Sequence, residues 1–384
     1  MHNIFVNDFS NHIAIIGAGI SGLALGCILK AAGFQVVIFE KAKDISEEGA
    51  GISISPNGTN ILKLMGIYDE LKYRSSNPLK ALHYDNHNNI ISSFTVDVLT
   101  TSRQTLYKVL LEQYLSNNGD IYFEHELIEI DESGCELKFL NNDTYKVLHV
   151  AACDGINSFC RKKIFPNNNP VYSGYSVWRT ILNMRSEEIK TYLGPKHHIV
   201  AYPINEAQTS LVAAIKTDKK YKESWRIKGT LDELKKDLVI SKSDLILKLD
   251  DSTDFYKWGV YTRPPLKTLY SKNITLLGDA AHPIVPFIGQ GGCLALEDAY
   301  LFGKLIISSD MEFSIAQKNY QKIRMPRIKK IKALSERQGH LNHISNKLIS
   351  LTRNFIMRHM QFIAMKDIKK VWEYDIDNEI PKIK

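Results

Sequence analysis

His12-Ile13-Ala14-Ile15-Ile16-Gly17-Ala18-Gly19-Ile20-Ser21-Gly22 is the stretch that decides how this chain folds. A compact run rich in β-branched residues leads without a break into a Gly-x-Gly-x-x-Gly loop, which predicts a buried strand ending in a glycine turn. Leu23 to Ala32, dense in Leu and Ala and followed by Gly33, predicts a helix closed by a C-terminal glycine. Gln35-Val36-Val37-Ile38-Phe39 predicts a second strand, with Glu40 at its end.

Each loop glycine has a separate task. Gly17 allows the tight turn, Gly19 lets a pyrophosphate approach the backbone, and Gly22 permits close packing of helix on strand. The helix N-terminus adds amide donors and the positive end of its dipole. Glu40 lies about 20 residues past the loop, where a carboxylate accepts hydrogen bonds from ribose hydroxyls and disfavours a 2′-phosphate. A glycine-rich turn with no ligand is the plainer reading, but strand, loop, helix, strand and acid follow in the order a dinucleotide site needs. The loop alone does not separate NAD from FAD, because both use it.

The bulk properties narrow the class. With 384 residues, 44% apolar and 24% charged, the chain is long enough for a large core in one or two domains. The net charge of +7 is dispersed apart from short runs such as Arg327, Lys329, Lys330 and Lys332, so nucleic acid is not expected as a partner. Five cysteines without C-x-x-C spacing suggest neither a zinc site nor a disulfide framework, and no metal ligands are assigned. Cys153, Cys160 and Cys293 read as small buried residues. No export signal and no membrane-spanning run are read from the sequence, which leads to the expectation of a cytoplasmic protein, a monomer or homodimer without an integral membrane segment.

A second glycine-bearing segment comes late. Ile274-Thr275-Leu276-Leu277 predicts a short strand delivering Gly278-Asp279, where a carboxylate can accept from hydroxyls. Gly289-Gln290-Gly291-Gly292 then precedes the helix-forming Leu294-Ala295-Leu296-Glu297-Asp298-Ala299, whose first amides would face whatever lies over the glycines. The ordinary structural readings are a cap or turn acid for Asp279 and a packed loop residue for His282; the latter is preferred for His282.

Across most of its length the chain resembles the single-component (class A) FAD-dependent monooxygenases, the family of salicylate, hydroxybenzoate and urate hydroxylases and zeaxanthin epoxidase. The resemblance rests on the first glycine loop; on Gly49-Ala50-Gly51-Ile52 with Pro56-Asn57-Gly58; on Ser102-Arg103 with Leu106; on Cys153-Asp154-Gly155-Ile156-Asn157-Ser158 with Arg161; and on Gly278-Asp279-Ala280-Ala281-His282-Pro283 with Pro286 and Gly289 to Gly292. Cys153 departs from the family's more usual alanine. The resemblance implies FAD as cofactor, held by Gly17, Gly19, Gly22, Glu40, Gly51, Arg103, Asp154, Asp279, Gly289, Gly291 and Gly292. For Arg161 a cofactor contact and an ordinary ion pair stand level.

It also implies an α/β fold of the glutathione-reductase type. An FAD-binding Rossmann domain would comprise residues 1–72, 98–170 and 268–345, and an interleaved, mostly antiparallel substrate domain residues 73–97 and 171–267. A C-terminal helical segment would comprise 346–384. Read from the residues themselves, Leu79–Tyr84 and Ile90–Phe94 flank a polar turn as a hairpin, and Val177–Ile181 and Leu211–Ile215 alternate as strands. Ile328 to Met365 has helical spacing interrupted by Gly339, which predicts a helix break there and at least two C-terminal helices, with core packing preferred over membrane contact.

The chemistry the resemblance implies is reduction of FAD by NADH or NADPH, addition of O2, and transfer of one oxygen atom from a flavin hydroperoxide to a small aromatic or similarly flat substrate. The candidate catalytic residues are His198, Arg179 and Tyr202. His198 either bonds or ionises a phenol, since imidazole titrates near neutrality, or is a solvent-exposed strand-end residue. Trp178 and Arg179 together could stack on a ring and attract an anion, with core packing as the other reading of Trp178. Tyr202, Pro286 and Phe287 are candidate cavity walls or ordinary packing. Inactivation of a polycyclic compound such as a tetracycline, alkene epoxidation, and flavin-dependent reduction without oxygen insertion stay open as alternatives.

Overall fold

The computed structural model describes residues 6–44, 51–221, 227–238, 246, 249 and 253–383. The opening strand β1 (Val6–Ile16) runs into helix α1 (Ile20–Ala31) and then β2 (Val36–Phe39). Ile13, Ala14, Ile15 and all four residues of β2 are fully buried, which is why the segment reads as a continuous apolar run and not an alternation.

These strands sit in the middle of an eight-stranded sheet. β1 lies between β2 and Thr144–Ala152, with Asp120–Tyr122 outside β2 and Ile274–Leu276 outside Thr144–Ala152, all five running parallel. Register pairs Ile16 with both Phe39 and Ala152, and Ala152 with Leu276, so four neighbouring strands end at one level. Ligands of open parallel sheets bind at such carboxyl ends.

A second eight-stranded sheet is built from Lys80–Asp85, Ile90–Thr95 and six strands between Val171 and Thr262. Its pairings are antiparallel except that of Ile189–Gly194 with Lys80–Asp85. The expected Rossmann-like sheet with an interleaved, mostly antiparallel sheet and C-terminal helices is the architecture observed.

The C-terminal expectations need correcting. Helix Phe313–Asn342 runs straight through Gly339, which is not a break: a Cβ there would lie 2.4 Å from the Phe287 ring, so glycine allows close packing of helix on loop. The helices Lys347–His359 and Gln361–Trp372 follow, and the first buries none of its residues, so it is not a core helix.

Candidate active site

The ends of the four parallel strands carry Gly17, Glu40, Asp154 and Asp279 to the rim of one cavity of 1220 Å³. Gly17 takes φ +100°, with Cys153 O 2.6 Å from where a Cβ would stand, so only glycine makes this turn. At Gly22 a Cβ would meet Gly17 O at 2.0 Å; this glycine does not line the cavity and serves the loop by letting α1 press against it. Glu40 is tied back to the same loop, its Oε2 accepting from Ala18 N at 2.7 Å and its Oε1 from Ala42 N at 2.8 Å.

The fit to a dinucleotide can be tested on these walls. A Cβ at Gly19, Gly289 or Gly291 would meet nothing within 4 Å, and all three glycines line the cavity, leaving bare backbone toward open space. Asp154 spends Oδ2 on Cys160 N at 3.1 Å, while its buried Oδ1 has no hydrogen-bond partner among the described residues. Asp279 projects into the cavity at the start of the second glycine-bearing loop. Asp279 is exposed to the open cavity, and the protein packed around it raises its carboxyl above the ordinary range, opposed by the charges of His282 and Arg103. Arg103, first residue of helix Arg103–Ser116, lines the same wall. Such acceptors, an arginine and exposed amides suit ribose, ribityl and pyrophosphate groups, so the residues present fit FAD.

Gly51 and Gly292 border the cavity but are chosen by packing. Their Cβ atoms would stand 2.6 Å from Ser210 and Ile52 side-chain atoms respectively. Gly49 and Ala50 lie outside the described residues.

Arg161 does not reach the cavity. Its guanidinium donates to the carbonyls of Ala280, Ala281 and Pro264 and to Asn168 Oδ1, clamping the Asp279 loop from behind. His282 is the packed loop residue expected, 2.5 Å from Asp298. Burial pushes the Cys153, Cys160 and Cys293 thiols up, which keeps them protonated.

A buried ionic brace ties Ser55 and Asn57 to the helix that follows the second glycine-bearing segment. Arg324 bonds Glu297 and Asp298, both at 2.6 Å, and Arg327 bonds Glu297 at 2.8 Å. Glu297 in turn accepts from Asn57 Nδ2 at 2.7 Å, and Gln290 donates to Ser55 Oγ at 2.7 Å. Burial opposes ionisation of Asp298, yet the neighbouring His282 and Arg324 hold its carboxyl down at about 2. Glu297 and Asp298 read in the sequence merely as helix formers; nothing local marks them as the partners of arginines a helix away.

The far end of the cavity is faced by the second sheet. Strand alternation sends Val177 and Arg179 into it and Trp178 to the opposite side, so Trp178 packs in the core, as one of its two readings had it, and does not form a platform with Arg179. Trp178 is fully buried, its Nε1 donating to Asp237 Oδ2 at 3.0 Å. Trp258, opposite Val177 in the neighbouring strand, takes its place: the Arg179 guanidinium lies 4.9 Å from the Trp258 ring centroid. Tyr202 and Phe287 complete aromatic walls, and Pro286 also lines the cavity.

His198 is 5% exposed, which rules out the solvent-exposed reading. Burial, with the charges of His343 and His197, pushes its imidazole well below the usual value, so it does not titrate near neutrality as expected. His343 Nδ1 lies 2.6 Å from Gly339 O and donates to it; its Nε2 then accepts from His198 Nδ1 at 3.1 Å. His198 Nε2 is thereby left as a bare acceptor. Trp258 and Arg353, which line the cavity, and His343, which stands behind His198, escaped the sequence reading, because they come from separate strands and helices without a common motif. His83 lines the cavity with Nδ1 unpartnered among the described residues, and burial pushes its imidazole down to about 4.

Comparison with known proteins agrees with this geometry. The FAD binding domain family matches residues 11–331. The chain is 26% identical to a 3-amino-4-hydroxybenzoate 2-monooxygenase of Streptomyces platensis, covering 86% of this chain and 88% of the relative. It is 25% identical to the 3-hydroxybenzoate 6-hydroxylase of Klebsiella oxytoca, with the same coverage. In fold it is similar to a salicylate hydroxylase in complex with substrate, at TM-score 0.81 and 20% identity over 98% of both chains. It is also similar to a tetracycline destructase, at TM-score 0.76 and 19% identity over 95% of this chain and 97% of that one. The chain belongs to the FAD binding domain family.

Proposed function

We propose that this chain uses FAD, NADH or NADPH, and O2 to hydroxylate a small aromatic or similarly flat substrate. The observation that carries the reading is the continuity of one cavity from the four strand ends to a chamber walled by Trp258, Tyr202, Phe287, Arg179 and His198. FAD bound along the first part would supply the electron transfer and oxygen activation that no side chain offers. Glu40, Asp154 and Asp279 accept hydrogen bonds from its hydroxyls, and Arg103 and the start of α1 face its phosphates.

At the other end the side chains hold and orient. Trp258, Phe287 and Tyr202 flank a flat ring, and Arg179 attracts an anionic substituent. The relatives named for hydroxybenzoates act on rings with both features. His198 Nε2 accepts a hydrogen bond from a phenolic hydroxyl and draws electron density toward the ring. The apolar remainder of the chamber excludes water.

Purified protein should be yellow, and NAD(P)H oxidation should be stimulated by members of a panel of benzoates, phenols, purines and polycycles, with product heavier by one oxygen atom. Absence of stimulation across the panel, or stimulation without oxygen in the product, would overturn the proposal.

A further inference from the structure

Helix Lys347–His359 presents two unlike faces. Arg353, Ile356 and Met357 line the cavity. On the opposite face Leu348, Leu351 and Phe355, spaced three and four apart and so aligned along one stripe, are 75%, 54% and 60% exposed. Phe362 continues it on the next helix at 75%, and Ile363 both lines the cavity and is 46% exposed, joining the stripe to the cavity wall. A helix face turned to water ordinarily carries polar residues. This one carries large apolar side chains that the described part of the chain leaves uncovered.

The charges around the stripe have one sign. Lys347 and Arg358 border it, and exposed Lys366, Lys369 and Lys370 follow Phe362. Between residues 343 and 372 the single carboxylate is Asp367, already bonded to Arg337 at 2.6 Å. An apolar stripe bordered by cations is the pattern of a helix lying in the headgroup layer of an anionic membrane, with lysine stems reaching to the phosphates. A two-fold contact between copies would instead set these cations against one another.

We propose that the C-terminal helix pair docks the protein on an anionic phospholipid bilayer. Leu348, Leu351, Phe355 and Phe362 enter the acyl boundary, and the cavity wall at Ile356, Met357 and Ile363 is brought beside the lipid. Among the described residues no helix is long and apolar enough to cross a membrane, so the contact is peripheral. The docking is independent of the redox reading and is tested without turnover.

The full-length flavin-loaded protein is sedimented with vesicles of phosphatidylcholine alone and with vesicles containing about a third phosphatidylglycerol. Binding is expected to the anionic vesicles only, with release as salt is raised. Leu348→Gln with Phe355→Gln should lower the partition at least about tenfold, with melting temperature and flavin content unchanged. Should that variant misfold, Lys366→Gln, Lys369→Gln and Lys370→Gln combined should weaken anionic binding in the same assay. Failure to bind either vesicle, equal binding by the variants, or a dimer that Phe355→Gln converts to monomer would overturn the proposal, the last by making this face a contact between copies.

Discussion

At the end of the cavity that starts with Gly17, the groups facing inward stand at the ends of four parallel strands, and much of what they offer is backbone: open glycines, a helix N-terminus, carboxylates fixed by main-chain amides. At the end that holds His198, the inward groups are side chains drawn from several strands of the antiparallel sheet and from the C-terminal helices. The difference matches what each end has to recognise. A cofactor of fixed shape is served by backbone geometry that substitution hardly alters, whereas a substrate is selected by side chains that can be exchanged without disturbing the sheet beneath them.

Breaking the buried brace behind the cofactor end should have the largest effect. Arg324→Met leaves Glu297 and Asp298 buried without the arginine they share, which costs about 3–5 kcal/mol. Because Glu297 also holds Asn57, and Gln290 holds Ser55, flavin retention should fall together with the midpoint in denaturant. A variant as stable as the parent would show that the brace does not hold these segments together. Next in size, Asp279→Ala acts at one end alone. Loss of a charged acceptor should lower FAD affinity about tenfold to a hundredfold, read by flavin fluorescence titration, while circular dichroism stays that of the parent. Full flavin occupancy after that change would remove Asp279 from the site.

The same contrast decides what the sequence could disclose. Residues 12–40 announce strand, turn, helix and acid because their signals are local: the β-branched run is buried on both faces, Gly17 takes φ +100°, and Gly22 is forced by Gly17 O within the loop. Asp279 and Gly289 to Gly292 were legible for the same reason, standing between a short strand and a helix start. The substrate end was not legible in this way. Trp178 and Arg179 were read together although neighbours on a strand face opposite sides, nothing local tells which side holds the cavity, and Trp258 was reached only through the pairing of its strand with Val177. His343 lies 145 residues from His198, and no periodicity connects a helix end to a mid-sheet histidine. Gly339 misled because a glycine inside a helix signals a break in sequence terms, whereas here it is demanded by the Phe287 ring pressed against it.

The smallest effect expected separates the ends most cleanly. His198→Gln keeps a donor for His343 but removes the bare ring nitrogen, so kcat/KM for a phenolic substrate should fall about tenfold, the worth of one hydrogen bond, with FAD affinity unchanged. The pH dependence sharpens this. Burial holds His198 well below the ordinary imidazole value of 6.5, and burial, opposed by the bond to the Gly339 carbonyl, brings His343 down to about 4. Both folded values lie below the unfolded one, so the stability these rings contribute is complete above pH 6.5 and is lost as pH falls from there toward 4, where the unfolded chain binds protons first. Thermal midpoints should therefore decline on acidification through that window, while kcat/KM shows no imidazole inflection near 6.5 from this pair. A wild-type inflection near 6.5 that disappears in His198→Gln would mean that the ring exchanges its proton during turnover and does not act as a fixed acceptor.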